Sequence, residues 1–195
     1  MLLDEFAIGG KDRFWDAPVK VFLATLLICL LAPIEINVVS ALPVTFQTLV
    51  ILTLAMILGP SKGGIATSLY LVMGALGLPV FAEGGAGWEK LIGPTGGFLL
   101  SFVLASFLVG KLSAGVWGKH WMGIALILFL GHILILLIGF LWLGVLIGFE
   151  GMWEKILPLL PGMGIKILLG TLIVGLANWG MKELIERNKA KNLHQ

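Results

Sequence analysis

Few side chains in this sequence are equipped for chemistry, and the one in the least comfortable place is Lys166. It is the only ionisable residue in an apolar run from about Pro161 to Trp179. An ammonium inside a membrane helix costs about 2.5–3.5 kcal/mol on insertion scales, and such residues usually face a bundle interior or a watery cavity. Close to the outer start of its run, Lys166 is placed either to meet an anion, most simply a carboxylate, or to snorkel to the headgroups. Thr45 and Gln47 follow Pro43, a residue suited to a helix start, and their polar groups suit a ligand or a neighbouring helix equally. Tyr70, the only tyrosine, has a hydroxyl that needs a partner and is placed to line a pocket or to pack in the core. Phe81, Trp88, Phe98 and Trp142 offer flat walls for an apolar ring system; Trp88 and Trp153 also fit an interfacial aromatic belt. His132 lies in an apolar run, where bonding to a neighbouring helix is the commoner role and ligand contact the lesser alternative.

Other chemistries are absent. Gly59-Pro-Ser-Lys-Gly and Gly93-Pro-Thr-Gly-Gly do not have P-loop spacing, and no metalloprotease helix, nucleophile elbow or acid pair occurs, so the chain is not expected to be an enzyme. Glu35 and Asn37 lack a His or acidic companion at ligand spacing, so no metal or other cofactor is expected. The single Cys29 sits in an apolar run and is expected to be a small buried hydrophobe.

These residues must be positioned by elements that lie in lipid. Of 195 residues, 58% are hydrophobic and 12% charged, with a mean hydropathy of +1.05, where soluble domains carry about a quarter charged residues. The sequence predicts an all-α integral membrane protein with the bilayer as its medium. A net charge of +2, dispersed along the chain, gives no nucleic-acid footprint.

Six apolar runs are expected to cross: about Val19–Val39, Pro43–Leu58, Gly64–Leu76, Gly97–Leu112, Met122–Phe149 and Pro161–Trp179. They form a single membrane domain over 1–195. Residues 1–18 are an interfacial lead-in carrying Phe6, Phe14 and Trp15, 19–181 form the six-helix bundle, and 182–195 are a polar tail. The third and fourth transmembrane helices are joined by a glycine-rich outer loop, Gly74 to Phe98. Glycines at 74, 77, 84, 85, 87, 93 and 96 allow tight turns there. Leu78, Val80, Phe81, Trp88, Leu91 and Ile92 are its expected anchors, and the stretch reads as a lid over a small molecule. Six crossings leave both termini on one side. Ten basic residues (Lys11, Arg13, Lys20, Lys62, Lys111, Lys119, Lys182, Arg187, Lys189, Lys191) fall on that side against Lys90 and Lys155 on the other, which makes both termini cytoplasmic. Two small-residue stripes, Gly97/Ser101/Ala105 and Ser106/Gly110/Ala114, predict close helix packing.

The sequence also resembles a known family. Pro43-Val-Thr-Phe-Gln-Thr, Leu58-Gly-Pro with Gly63, Tyr70 with Gly74, Gly77-Leu-Pro-Val-Phe-Ala and Gly93-Pro-Thr-Gly-Gly are similar to the BioY family, the biotin-specific substrate-binding (S) components of energy-coupling factor transporters. Leu160-Pro-Gly with Lys166 extends the likeness. The resemblance implies six membrane helices in a bacterial cytoplasmic (inner) membrane. It implies capture of biotin at the outer face and delivery through a membrane coupling (T) subunit with two cytoplasmic ATPase subunits. It also implies that Lys166 and the outer loops hold the ligand, which brings Gly77, Leu78, Pro79, Phe81, Gly96 and Gly97 into the expected site beside Thr45, Gln47, Tyr70, Trp88, Phe98 and Trp142. Three departures stand out: Met163 replaces the aspartate of the family's P-G-D-x-x-K pattern, Phe98 replaces a tyrosine, and Ala24 and Ala32 are eight apart around Ile28 where an A-x-x-x-A face is typical. The Met163 change opens a second reading, an S component for another small carboxylated vitamin.

Overall fold

The computed structural model describes residues 16–39, 42–150, 157 and 159–192; Phe6, Lys11, Arg13, Phe14, Trp15, Trp153 and Lys155 lie outside them. In chain order the helices are α1 (Asp16–Leu31), α2 (Gln47–Leu58), α3 (Pro60–Ala75), the short α4 (Glu89–Ile92), α5 (Gly96–Ser113), α6 (Trp121–Ile147) and α7 (Leu159–Asn192). Two strands, β1 (Glu35–Val39) and β2 (Leu42–Thr45), intervene between α1 and α2.

That hairpin is the one interruption of helix by strand among the described residues. Pro33 cannot continue α1 without losing a helix bond, and the β-branched run that follows pairs instead: Glu35 faces Thr45, Ile36 faces Val44 and Asn37 faces Pro43. In a two-stranded sheet both strands are edges, so Pro43 lacks a donor where none is required. Thr45 is therefore on a strand, and the helix begins only at Gln47. The first apolar run is likewise shorter than expected, with α1 starting at Asp16, ahead of the assigned bundle boundary, and ending at Leu31.

At the other end of the chain, the expected polar tail continues α7 as far as Asn192. Met181 to Lys191 is rich in helix formers, and Arg187 Nη2 reaches Glu183 Oε1 one turn back at 2.7 Å. At about 1.5 Å per residue, α7 is roughly 50 Å long, well beyond the ~30 Å of hydrocarbon. By length and composition three helices can cross a membrane, Gly96–Ser113, Trp121–Ile147 and Leu159–Leu184; Ala17–Leu31 and Gln47–Leu58 are apolar but shorter.

α5 is the central element. Ser101, Ala105 and Ser106 are fully buried on it, as the small-residue stripes predict for internal packing. Gly110 brings its backbone against Gly59 and Pro60, and Ser106 Oγ lies 2.9 Å from Thr67 Oγ1 of α3. Ala24, Ile28 and Ala32 are buried in the bundle, so this row of α1 is occupied by internal packing.

The bundle has two distinct ends. One carries the α2–α3 turn and the α5–α6 connection: Ser113 Oγ donates to Met56 O at 3.1 Å, and Asn178 Nδ2 of α7 donates to Gly118 O at 2.9 Å. The opposite end carries the hairpin, the glycine-rich bridge and the start of α7. Lys62, Lys111, Lys119 and Lys182 thus collect at one end, with Lys90 at the other.

The bridge is a folded structure, with a 3-10 turn at Ala82–Gly84 and the α4 turn. Val80, Phe81 and Leu91 are buried as anchors, while Leu78, Trp88 and Ile92 are exposed. Gly77 adopts φ 101°, a turn conformation that favours glycine. Gly87 N–H donates to Gly74 O at 2.8 Å. Gly74 also leaves the notch that the Phe81 ring fills, a space that any Cβ would invade. Gly74→Val should displace that ring and destabilise the fold by about 1–3 kcal/mol, the usual cost of overpacking. Thermal unfolding in detergent would read this as a lower midpoint; an unchanged midpoint would rule out the notch as a packing constraint.

Candidate functional site

Beneath the bridge lies a cavity of about 340 Å³, at the small end of the range for ligand pockets. Each element contributes to it in a pattern its geometry explains. α5 supplies Phe98, Leu99 and Phe102, α6 supplies His132, Ile135 and Leu136, and α7 supplies Leu159, Gly162, Met163 and Lys166. Each set has the three- and four-residue spacing of one helix face. The hairpin and α2 add Thr45, Gln47 and Thr48, and the bridge adds Phe81, Ala82, Glu83, Lys90 and Thr95.

Of the expected site residues, the structure brings together Lys166, Thr45, Gln47, Phe81 and Phe98. Tyr70 is behind the wall. It is fully buried, accepts a hydrogen bond from Gln47 Nε2 at 2.5 Å, and meets Phe81 edge-on with ring centroids 5.6 Å apart. It positions two lining residues without touching the cavity. Trp142 is also outside the lining; its Nε1 donates to Gly93 O at 2.9 Å, which ties the second half of the bridge to α6. Gly96 and Gly97 serve the same junction, because the backbone of Leu91 crosses Gly96 and the Trp142 side chain packs on Gly97. Gly77, Leu78 and Pro79 form the exposed turn after α3, and Trp88 is 61% exposed; none of the four lines the cavity.

The chemistry of the cavity rests on a few polar groups in an apolar shell. Lys166 is half-buried, and no described side chain pairs with it. A cation so placed favours an anion, since a charge-assisted hydrogen bond contributes roughly 1.5–3 kcal/mol. Glu83 and Lys90 are exposed at the bridge. Glu83 has φ 57° and is the sole non-glycine with positive φ among the described residues, a conformation that costs of order 1 kcal/mol or more and is often found beside binding sites.

His132 departs from its expected role. Its Nδ1 lies 2.9 Å from Leu128 O in its own helix, and its Nε2 is buried without a partner. Thr48 Oγ1 is likewise buried and unpartnered. Sequence reasoning did not name Thr48 for the site, held His132 there only as the lesser alternative, and reached Met163 through the resemblance, as the residue in the aspartate's place. Thr48 adjoins Gln47 on a first turn, and Met163 precedes Lys166 by three residues, so both were within reach of helical spacing. No spacing linked His132 to the site, because its neighbours in the cavity come from other helices. No group of three or more metal-ligating side chains occurs among the described residues.

Comparison with known proteins gives consistent matches. The family model described as the BioY family matches residues 12–183. "Biotin transporter BioY2" of Lactococcus lactis subsp. cremoris is 38% identical over 126 residues, covering 62% of this chain and 65% of that protein. "Biotin transporter BioY" of Thermotoga maritima is 39% identical over 95 residues, covering 49% and 56%. The chain thus spans between a little over half and just under two thirds of the length of these relatives. A crystal structure of the S-component for biotin from an ECF-type ABC transporter superposes with a TM-score of 0.67 at 26% identity, over 82% of this chain and 88% of that one.

The Gln47–Tyr70 bond yields a stability test. Tyr70→Phe keeps the ring but leaves the Gln47 amide buried with its acceptor gone, which should cost about 1–3 kcal/mol. Adding Gln47→Leu should restore part of the lost thermal midpoint. If the double variant unfolds no higher than Tyr70→Phe alone, the bond does not position Gln47.

Proposed function

The chain belongs to the BioY family, and we propose that it is a membrane subunit that captures biotin at the outer face and passes it inward as the S component of an energy-coupling factor transporter. The observation that carries this reading is the Lys166 ammonium, without a partner among the described residues, in a ligand-sized apolar cavity roofed by the bridge. Biotin supplies a carboxylate for that cation and a compact bicycle for Phe81, Phe98, Leu99 and Phe102. Its ureido group matches the polar side chains of α2 and α6.

We read the chain as a single membrane unit of six crossings with both termini cytoplasmic. Support comes from the gathering of Lys62, Lys111, Lys119 and Lys182 at the end opposite the cavity, the asymmetry expected of a cytoplasmic side. On this reading α1, α2 and α3 cross although each is shorter than the roughly 20 residues that span hydrocarbon, and the shortfall is met by local thinning or by flanking segments. The sequence carries no P-loop, so energy comes from two cytoplasmic ATPase subunits through a membrane coupling subunit. The location is the cytoplasmic membrane of a bacterium.

A second reading, an S component for another small carboxylated vitamin, is favoured by one observation. Met163 lines the cavity at the position where the family pattern has an acid, so the lining lacks an acceptor there.

Titration calorimetry of the purified protein in detergent, with biotin and with its neutral carboxamide, tests both. Lys166→Met should weaken biotin about ten- to a hundredfold, the worth of a charge-assisted hydrogen bond, and weaken the carboxamide far less. Equal losses would remove Lys166 as the carboxylate's partner. Binding of lipoate or dethiobiotin without binding of biotin would transfer the function to the second reading. Shortening the bridge between Glu83 and Gly87 should act mainly on release, raising the off-rate severalfold with little change in on-rate; an unchanged off-rate would mean that the bridge is not a lid.

A further inference from the structure

The cavity has a polar pole that the anion-binding account does not use. His132 is 5% exposed, and its Nδ1 lies 2.9 Å from Leu128 O. A carbonyl oxygen only accepts, so Nδ1 carries the proton and, in the neutral ring, Nε2 is left as an acceptor. His132 lines the cavity, and its Nε2 is buried with no partner among the described residues. A buried acceptor left unpaired costs about 1–3 kcal/mol, and such groups usually mark a ligand or a water. Thr48 Oγ1, in the same lining, is in the same condition.

The position of His132 relative to Lys166 follows from the packing of α6 on α7. The side chain of Leu128 crowds Gly170, together with those of Leu49 and Thr53. His132 and Lys166 each lie one turn from that contact, towards the bridge end of the bundle, so their backbones are level. Helical side chains lean towards the N-terminus of their own helix, and the two helices run in opposite directions. The Lys166 stem therefore leans to the bridge, and the His132 ring leans inward, where its bond to Leu128 O holds it. The two polar groups diverge along the cavity, a donor cation nearer the mouth and a neutral acceptor nearer the interior.

We propose that His132 Nε2 accepts a hydrogen bond from a ligand N–H at the inner end of the cavity, with Thr48 beside it, while Lys166 holds the ligand's anionic end. Resting on the biotin reading, the donor is a ureido N–H, which makes His132 a specificity-determining residue. It selects ligands with an N–H at the end remote from the carboxylate and penalises those with an ether or methylene there. Met163, which also faces the cavity, brings only a weakly accepting thioether, so the imidazole is the stronger acceptor on offer.

The test pairs two ligands, biotin and biotin methylated on one ureido nitrogen at a time, with the wild type and His132→Phe. The variant should lose roughly tenfold or more in affinity for biotin, and substantially less for the analogue whose methyl has already removed the donor. The same loss for biotin and for both analogues would overturn the contact. A second measurement leaves His132 itself intact: in a chain carrying His120→Gln and His194→Gln, 15N-labelled His132 is observed by NMR. Biotin should move the Nε2 resonance upfield, as expected when an acceptor nitrogen gains a hydrogen bond. An unmoved Nε2 in a biotin-saturated sample would overturn the proposal. Failure of the wild type to bind biotin at all would instead overturn the biotin reading, and the ureido assignment with it.

Discussion

The site depends on one packing event, the seating of the Phe81 ring in the notch that Gly74 leaves on α3 and against the edge of Tyr70. A long connection above a membrane bundle has no hydrophobic reason to stay down unless some of its apolar surface is withdrawn from water, at about 25 cal/mol per Å². Burying a phenylalanine ring supplies that for the first half of the bridge. The second half is held differently, by the Trp142 indole on Gly93 O and by the close approach of Gly97 to the same tryptophan. With both halves fixed to different helices, the bridge becomes a roof whose inner face includes Phe81, Ala82 and Glu83. Tyr70 links the roof to the floor, since the ring that steadies Phe81 also receives the Gln47 amide.

Within that enclosure the polar groups are few, and Lys166, His132 Nε2 and Thr48 Oγ1 have no partner among the described residues. In a medium that cannot hydrate them, an unpaired ammonium, an imidazole nitrogen and a hydroxyl are destabilising unless a ligand completes them. The bundle can carry such groups because its stability comes from elsewhere, in the fully buried contacts of α5 with α2, α3 and α6. Ser101, Ala105, Ser106 and Gly110 let those backbones approach, and lipid offers no competing solvation for their hydroxyls. Stability and binding are therefore divided along the bundle axis, with tight small-residue packing at one end and an incompletely satisfied cavity at the other.

The legible parts of this design were those with a local physical signature. Apolar runs, a lysine among them, a glycine-rich bridge with aromatic residues and an uneven distribution of charge can all be read from consecutive residues. Thr45, Gln47, Phe81, Phe98 and Lys166 reached the cavity as expected. What was not legible depends on contacts between distant segments. The hairpin of Glu35 to Thr45 was read as the end of one apolar run and the start of the next, because its β-branched residues are equally at home in lipid. Trp142 and Tyr70 were read as walls, and only tertiary packing shows that they hold walls in place. For His132 a bond to a neighbouring helix was put ahead of ligand contact, because sequence gives no means of knowing that its own backbone would satisfy one nitrogen and leave the other buried without a partner.

Glu83 carries the argument one step further. It adopts the left-handed conformation between Ala82 and Gly84, in a chain whose other described positive-φ residues are all glycine. A glycine at 83 would relax that strain, and glycine is abundant on either side, so conformational ease alone does not account for a glutamate. Its side chain is at the exposed edge of a cavity that also presents Lys90, and a carboxylate there gives the mouth an anionic group alongside its cation. The glutamate therefore holds a charge at the mouth, and the turn beneath it carries the strain of a positive φ.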